Sequence, residues 1–295
     1  MYKPATVQQV IDDLKSKNYL ADPLLARAVF HAACARIPLL LEGDPGVGKT
    51  ALAAALSHVV MDREPFRLQC YEGITAVHAL YDWNFRAQIL ELRKAELDHQ
   101  PGDSVDLFSE QFLLERPVLR AFREEGSVLL IDEIDRADDE FEAYLLEGLS
   151  EGKISIPEMS SQLKGMQLPF VVITSNGTRD IHEALRRRCA YHWIEHPGLT
   201  REAEILRITL KGDVTAGLAE EIAGFFAAVR GASDKSDKLD FIPGVSASRD
   251  VATAALASGT TSLTREFLED ALSLIAKSQK DQQRIAKVIQ GRYLP

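Results

Sequence analysis

Eight residues, Gly43-Asp44-Pro45-Gly46-Val47-Gly48-Lys49-Thr50, constrain this chain more than any others. They match GxxxxGK[ST] in full. Their surroundings fit the pattern: the apolar run Ile37 to Leu41 leads into the glycines, and Ala51 to Val60 has helical character. Glycines let the backbone curl so that successive N–H groups face inward. The helix that follows adds the positive end of its dipole at the same place. Such a turn suits phosphate, with Lys49 reaching the β- and γ-phosphates and Thr50 ligating Mg²⁺. Gly43, Asp44, Pro45, Gly46, Val47, Gly48, Lys49, Thr50 and Ala51 are therefore the expected nucleotide contacts, with ATP and Mg²⁺ as the ligands. A glycine-rich turn with no ligand is the bland alternative. The strand before it and the helix after it argue against that.

The rest of the first 197 residues alternates in the same manner. Helical spacing over 22–35 precedes the first strand, and Tyr19 and Leu20 stand just before that helix. Short apolar runs follow at Phe66 to Cys70, Val128 to Ile131, Phe170 to Thr174 and Tyr191 to Ile194, with helical patterns at Val118 to Arg123 and Phe141 to Leu149. Strands alternating with helices imply a parallel sheet covered on both faces. After His196-Pro197-Gly198 only helical patterns appear. Thr200 reads as the N-cap of a helix to Lys211. A stripe from Leu218 to Val229 and two more at Val251 to Ala257 and Phe267 to Ile275 follow, and polar Gly231 to Asp240 reads as a loop. The expected architecture is an α/β, P-loop NTPase αβα sandwich with a parallel five-stranded sheet over 1–197, then a small all-helical lid domain over 198–295.

Three further segments bear chemistry. In Val128-Leu129-Leu130-Ile131-Asp132-Glu133, four apolar residues end in two carboxylates at the strand end where parallel sheets bind ligands. Asp132 can hold Mg²⁺ through water, and Glu133 can polarise the attacking water. Phe170 to Ser175 ends in Asn176, whose amide can orient water or meet the γ-phosphate; a polar turn residue is the plain alternative. Glu183-Ala184-Leu185-Arg186-Arg187-Arg188-Cys189 carries three successive arginines. These fit a solvated helix C-terminus, or a cation that reaches a neighbouring subunit's γ-phosphate.

Charge narrows the function class. The net charge is −10, and phosphate neutralisation supplies most nucleic-acid affinity, so a general nucleic-acid binder is disfavoured. Apolar residues make up 46% of the chain, yet no run approaches the roughly 20 that a membrane span needs. The N-terminus has no apolar core of a secretory signal. Cys34, Cys70 and Cys189 lie far apart with no CxxC pair, which fits neither a disulfide framework nor zinc and suggests a reducing cytoplasm.

Taken in order, these elements resemble an AAA+ ATPase: Walker A at 43–50, Walker B at 127–133, sensor 1 at Asn176, an arginine-rich segment and a helical lid. More narrowly the chain resembles the MoxR group, and within it the CoxD-like members associated with maturation of carbon monoxide dehydrogenase-type molybdenum enzymes. The residues that carry this are Tyr81 to Leu90, Leu107 to Glu110 with Arg116-Pro117, Thr174 to Asp180 and Ala184 to Cys189. The resemblance implies a homo-oligomeric ring, a hexamer, that remodels a protein client and is paired with a von Willebrand factor A domain protein. It puts the trans-acting arginine at Arg188, with Arg187 as second choice, because Arg187-Arg188-Cys189 stands where related proteins read Asp-Arg-Phe. It makes Arg249 a candidate sensor 2, Gln69 a link between Glu133 and a substrate signal, and Tyr19 and Leu20 candidates to line the adenine pocket. It also suggests that 76–115 is an insertion facing the pore or a client, and that 154–167 is a hairpin. The competing function is a nucleic-acid motor such as a helicase, clamp loader or restriction subunit.

Overall fold

The computed structural model describes residues 2–97, 106–151, 156–159, 166–233 and 238–292. In chain order the elements are α1 (Val7–Ser16), α2 (Pro23–Ala35), β1 (Leu39–Gly43), α3 (Lys49–Val60), β2 (Phe66–Gln69), α4 (Ala76–Leu80), β3 (Tyr81–Trp83) and α5 (Phe85–Leu97). There follow β4 (Leu113–Glu115), α6 (Pro117–Arg123), β5 (Val128–Asp132), α7 (Asp139–Glu151), β6 (Phe170–Ser175), α8 (Glu183–Arg186) and β7 (Ala190–Ile194). The remainder is helical: α9 (Leu199–Thr209), α10 (Ala216–Ser233), α11 (Val245–Ala257), α12 (Arg265–Asp270), α13 (Leu272–Ile275) and α14 (Gln279–Arg292).

Five strands form the expected parallel sheet, in the order β2-β5-β6-β1-β7. The sequence accounts for who sits where. Every residue of β1, β5 and β6 is buried, as befits inner strands covered on both faces. The edge strands β2 and β7 mix buried and open positions. Register sets the chemistry: Gln69 pairs with Asp132 across β2 and β5, and Ile131 with Ile173 across β5 and β6. Carboxylates and amides that follow these positions are thus delivered side by side at one end of the sheet.

The chain divides into two compact units. The first comprises Met1–Val10, Pro23–Leu41 and Ala53–His192; the second comprises Ile11–Asp22, Glu42–Leu52 and Trp193–Pro295. The core of the first is built on Leu129, Ile131, Ile173, Leu119 and Phe122. The core of the second is helical, built on Leu206, Ile222, Phe225, Phe226, Val251 and Ile285. Phe225 and Phe226 are fully buried neighbours that meet edge to face, with ring centroids 5.6 Å apart.

Several local expectations are corrected. The first strand starts at Leu39, because Ile37 still closes the α2 end, its N–H bonding to Ala32 O at 3.2 Å. The helix expected to be capped by Thr200 starts two residues earlier: Gly198 is its N-cap, and Gly198 O accepts from Glu202 N at 2.9 Å. Of the loop expected over 231–240, residues 231–233 belong instead to α10, which is held by buried Val229 and by the Arg230–Glu202 ion pair, and residues 234–237 lie outside the described residues. Phe267 to Ile275 is not one helix but two, broken at Ala271 with φ −78° and ψ 0°. Within 76–115 the chain forms an antiparallel pair, β3 with β4, in which Tyr81 faces Glu115. Of the expected hairpin over 154–167, residues 154–155 and 160–165 lie outside the described residues.

Candidate nucleotide site

In the second unit, the loop from Gly43 to Gly48 is shaped by close approaches that exclude side chains. A Cβ on Gly43 would lie 2.4 Å from Ile194 O, and one on Gly46 would lie 2.6 Å from Ser246 Oγ. Gly46 and Gly48 take φ of 80° and 104°, a region that L side chains rarely adopt. Lys49 is 7% exposed, and its Nζ donates to Gly43 O at 2.6 Å and Asp44 O at 2.9 Å. The ammonium is thus folded back over its own loop. His196 Nε2 stands 3.1 Å from Asp44 Oδ2. Thr50 and Ala51 occupy the first turn of α3, whose N-terminal dipole end points at the loop.

The same unit brings Tyr19 to this loop, with Leu20 following it in the chain. A Cβ on Gly48 would be 3.8 Å from the Tyr19 ring. Arg201 on α9 fixes the segment by donating to Leu20 O at 2.8 Å and pairing with Asp22 at 3.2 Å. Burial, only partly offset by the Arg201 charge, pushes the Tyr19 hydroxyl well above its ordinary pKa, so it stays a neutral donor. α11 meets the loop through Gly244, whose added Cβ would lie 2.7 Å from Pro45 O. Arg249 lies further along α11 and is half-exposed beside Asp250, at 3.6 Å.

In the first unit, β5 delivers Asp132 and the chain then turns sharply. Glu133 adopts a left-handed conformation, φ 57° and ψ 53°, and its N–H donates to Thr174 Oγ1 at 2.9 Å. The Thr174 hydroxyl in turn donates to Asp132 Oδ1 at 2.5 Å. Arg67 meets Asp132 Oδ2 at 2.5 Å. Glu133 is held from three sides: Arg136 Nε at 2.8 Å, Gln69 Nε2 at 3.0 Å and Asn176 Nδ2 at 3.4 Å. The strain at Glu133 is that of a side chain aimed by its neighbours.

The field around these groups is negative. Burial, followed by Asp132, Asp135, Glu133 and Glu142, pushes the Cys70 thiol up to about 12. An oxygen-rich, electronegative strand end suits a hard cation such as Mg²⁺, which is held by one or two carboxylates and by substrate phosphates. Among the described residues no cluster of three or more His, Cys, Asp or Glu forms a closed metal cage.

Past Asn176 the chain is fastened down. Asp135 accepts from Thr178 Oγ1 at 2.6 Å, Thr178 N at 3.0 Å and Asn176 N at 3.3 Å. Burial opposes its charge, but these bonds outweigh burial and hold its pKa below the usual carboxylate value. Arg187 and Arg188 at the end of α8 are exposed, with Arg187 Nε 2.9 Å from Glu183 Oε1. Sequence reasoning thus named Glu133, Gln69 and Asn176, which the structure brings together. It missed Arg67, Arg136, Asp135 and His196, which are single polar residues without a pattern. Thr174 lay inside a recognised segment, but nothing in its spacing revealed its bond to Asp132.

A glycine loop at the end of a parallel strand, with paired carboxylates ending another strand of the same sheet, defines a P-loop ATPase. The chain belongs to the AAA family: the model of the AAA domain (dynein-related subfamily) matches residues 38–189. It is accordingly an ATP-hydrolysing enzyme that uses ATP with Mg²⁺ as the usual partner. No curated protein matches the chain. Among solved structures it is similar to a protein of Cytophaga hutchinsonii provisionally described as an ATPase, with 15% identity, a TM-score of 0.47, and coverage of 96% of this chain and 93% of that one. Among the described residues no helix is long and apolar enough to cross a membrane.

Proposed function

We propose that the chain is a MoxR-type AAA+ ATPase, akin to the CoxD-like members, that assembles into a hexameric ring and remodels a protein client in the cytoplasm. The client is a metal-containing oxidoreductase awaiting maturation, and a von Willebrand factor A domain protein is the adaptor. The domains are the nucleotide-binding domain, 1–197, and the lid, 198–295. Mg²⁺, when bound, would supply neutralisation of the charge that develops on the transferred phosphoryl group. Gly43 to Gly48 and Ala51 offer the phosphates backbone N–H groups, and Lys49 offers its ammonium. Thr50 and Asp132 hold the cation, Asp132 through water. Glu133 polarises the attacking water and Asn176 orients it. Arg188, or Arg187 beside it, enters the neighbouring subunit's site. Arg249 brings the lid to the nucleotide, Tyr19 and Leu20 line the adenine, and Gln69 relays client contact to Glu133.

The observation that favours a protein client is the surface of α5. Phe85, Ile89, Leu90 and Leu92 are all more than 40% exposed there, on a chain of net charge −10. Apolar side chains on an acidic molecule suit another protein and not a phosphate backbone. Glu133→Gln tests the reading. It should spare ATP binding and lower turnover by about 100-fold or more, the usual weight of a general base. Pull-down of the tagged variant with ATP should then retain a protein client. Retention of DNA with no protein client would sink the remodelling proposal in favour of a nucleic-acid motor.

A further inference from the structure

Residues 176–182 join the sensor strand β6 to the arginine helix α8, and two buried carboxylates fasten this connection to the segment that follows Glu133. Asp135 holds its start, as described above. Glu142, in the first turn of α7, holds its end. Glu142 is completely buried, and both of its oxygens are used: one is ion-paired with Arg179 Nη2, and the other accepts from His182 N at 2.7 Å. Arg179 also reaches the same segment through Nη2 to Ala137 O at 2.6 Å and Nη1 to Asp139 Oδ1 at 2.8 Å. His182 caps α8, its ring Nδ1 accepting from Ala184 N at 3.2 Å while its carbonyl accepts from Leu185 and Arg186.

An acidic residue in the first turn of a helix needs no special reason, because the dipole favours it. A fully buried one does, since desolvation of a carboxylate is costly and an apolar side chain of like size would pack α7 as well. What an apolar side chain lacks is direction. Glu142 fixes Arg179 and His182 in one arrangement, and through them the short helix that ends in Arg187 and Arg188. We infer that Glu142 is a positioning residue that sets where the α8 arginines are presented relative to the segment bearing Glu133. This rests on the reading of Arg188 or Arg187 as the arginine that completes a neighbouring subunit's site.

Glu142→Gln keeps volume and an acceptor for His182 but removes the charge that orders Arg179. The expected result is unchanged nucleotide affinity and assembly, unchanged KM, and kcat lowered about tenfold or more, as for a misplaced reacting group. Mixed assemblies supply a readout that general loosening of the fold would not give. A subunit impaired only in presenting its arginine still has a working site of its own. Glu142→Gln should therefore regain turnover when mixed with Lys49→Ala, which contributes an intact arginine, and gain nothing when mixed with Arg188→Ala or with Arg187→Ala, whichever removes the acting arginine. Recovery with the arginine variant and none with Lys49→Ala would place Glu142 on the water-activating side and overturn the inference. Equal loss in both mixtures would overturn it too. The mixture of Lys49→Ala with the inactive arginine variant is the separate check on the trans arginine: no recovery there means that reading fails, and the positioning role with it. If Glu142→Gln does not fold, Arg179→Lys, which keeps the charge and loses the planar fork, must show the same pattern.

Discussion

Asp44 puts a carboxylate inside a loop built for phosphate, and His196 is the side chain set against it, Nε2 to Oδ2 at 3.1 Å. The neutral imidazole is the form that fits. With Nε2–H donating to Asp44, the other nitrogen, Nδ1, is buried with no hydrogen-bond partner among the described residues. Charging the ring would place a second N–H there with nothing to receive it. Burial lowers the pKa of His196 first, then the charge of Arg230, while Asp44 and Glu202 only partly restore it. A histidine harder to protonate when folded than when unfolded leaves stability intact above its unfolded pKa, near 6.5. As pH falls through that value and on through the lower folded one, the unfolded chain takes up the proton more readily, and stability is lost. Urea denaturation at pH 7.5 and 5.5 should show a loss on acidification that His196→Gln reduces, since the amide still donates to Asp44 and does not titrate. An identical pH dependence in both proteins would mean that His196 is not the group responsible.

At the scale of elements, α11 and the phosphate loop meet backbone to backbone within the second unit. A Cβ on Gly244 would lie 2.7 Å from Pro45 O and 2.8 Å from Gly46 C, and neither backbone atom can step aside as a flexible side chain would. Gly244→Ala should therefore cost about 1–3 kcal/mol by overpacking and weaken nucleotide binding, because the loop must deform to admit the methyl. Chemical denaturation and ADP titration measure the two effects; wild-type values in both would show that α11 can withdraw without cost. Nothing in the sequence around Gly244 announces this contact. The fold was legible where burial is uniform: β1, β5 and β6 are covered on both faces, so each reads as an unbroken apolar run ending in polar residues. β3 and β4 were not, because three residues each carry no period and their pairing joins Tyr81 to Glu115 across a long stretch of chain. The site divides in the same way. The phosphate loop is contiguous and was read in full, whereas Asp135 with Thr178 and Arg179 with Glu142 come together only when β5 and β6 lie side by side. In sequence each of those residues looks like an ordinary polar residue beyond a strand.

For the molecule as a whole, the exposed arginines raise the question of where their charge is used. Arg187 lies at the surface beside Glu183, and the pair is about three-quarters exposed on both sides, so it contributes little stability. Arg188 next to it is exposed as well. A guanidinium in water, screened within about 10 Å at ordinary ionic strength, has little influence on chemistry elsewhere in its own chain. Brought against the phosphates of another copy and removed from solvent, the same group stabilises transition-state charge by a factor of about 10³ or more. If that is its use, turnover is a property of the assembly. Specific ATPase activity should then rise with protein concentration and level off as association, followed by light scattering, becomes complete. Nucleotide binding, which needs no neighbour's arginine, should show no such rise in capacity. Arg188→Ala should bind ATP and associate as the parent does yet lack turnover at every concentration. Normal turnover in Arg188→Ala with Arg187→Ala inactive would move the role by one residue. Specific activity that is flat from the dissociated to the associated state would show that each chain hydrolyses ATP alone.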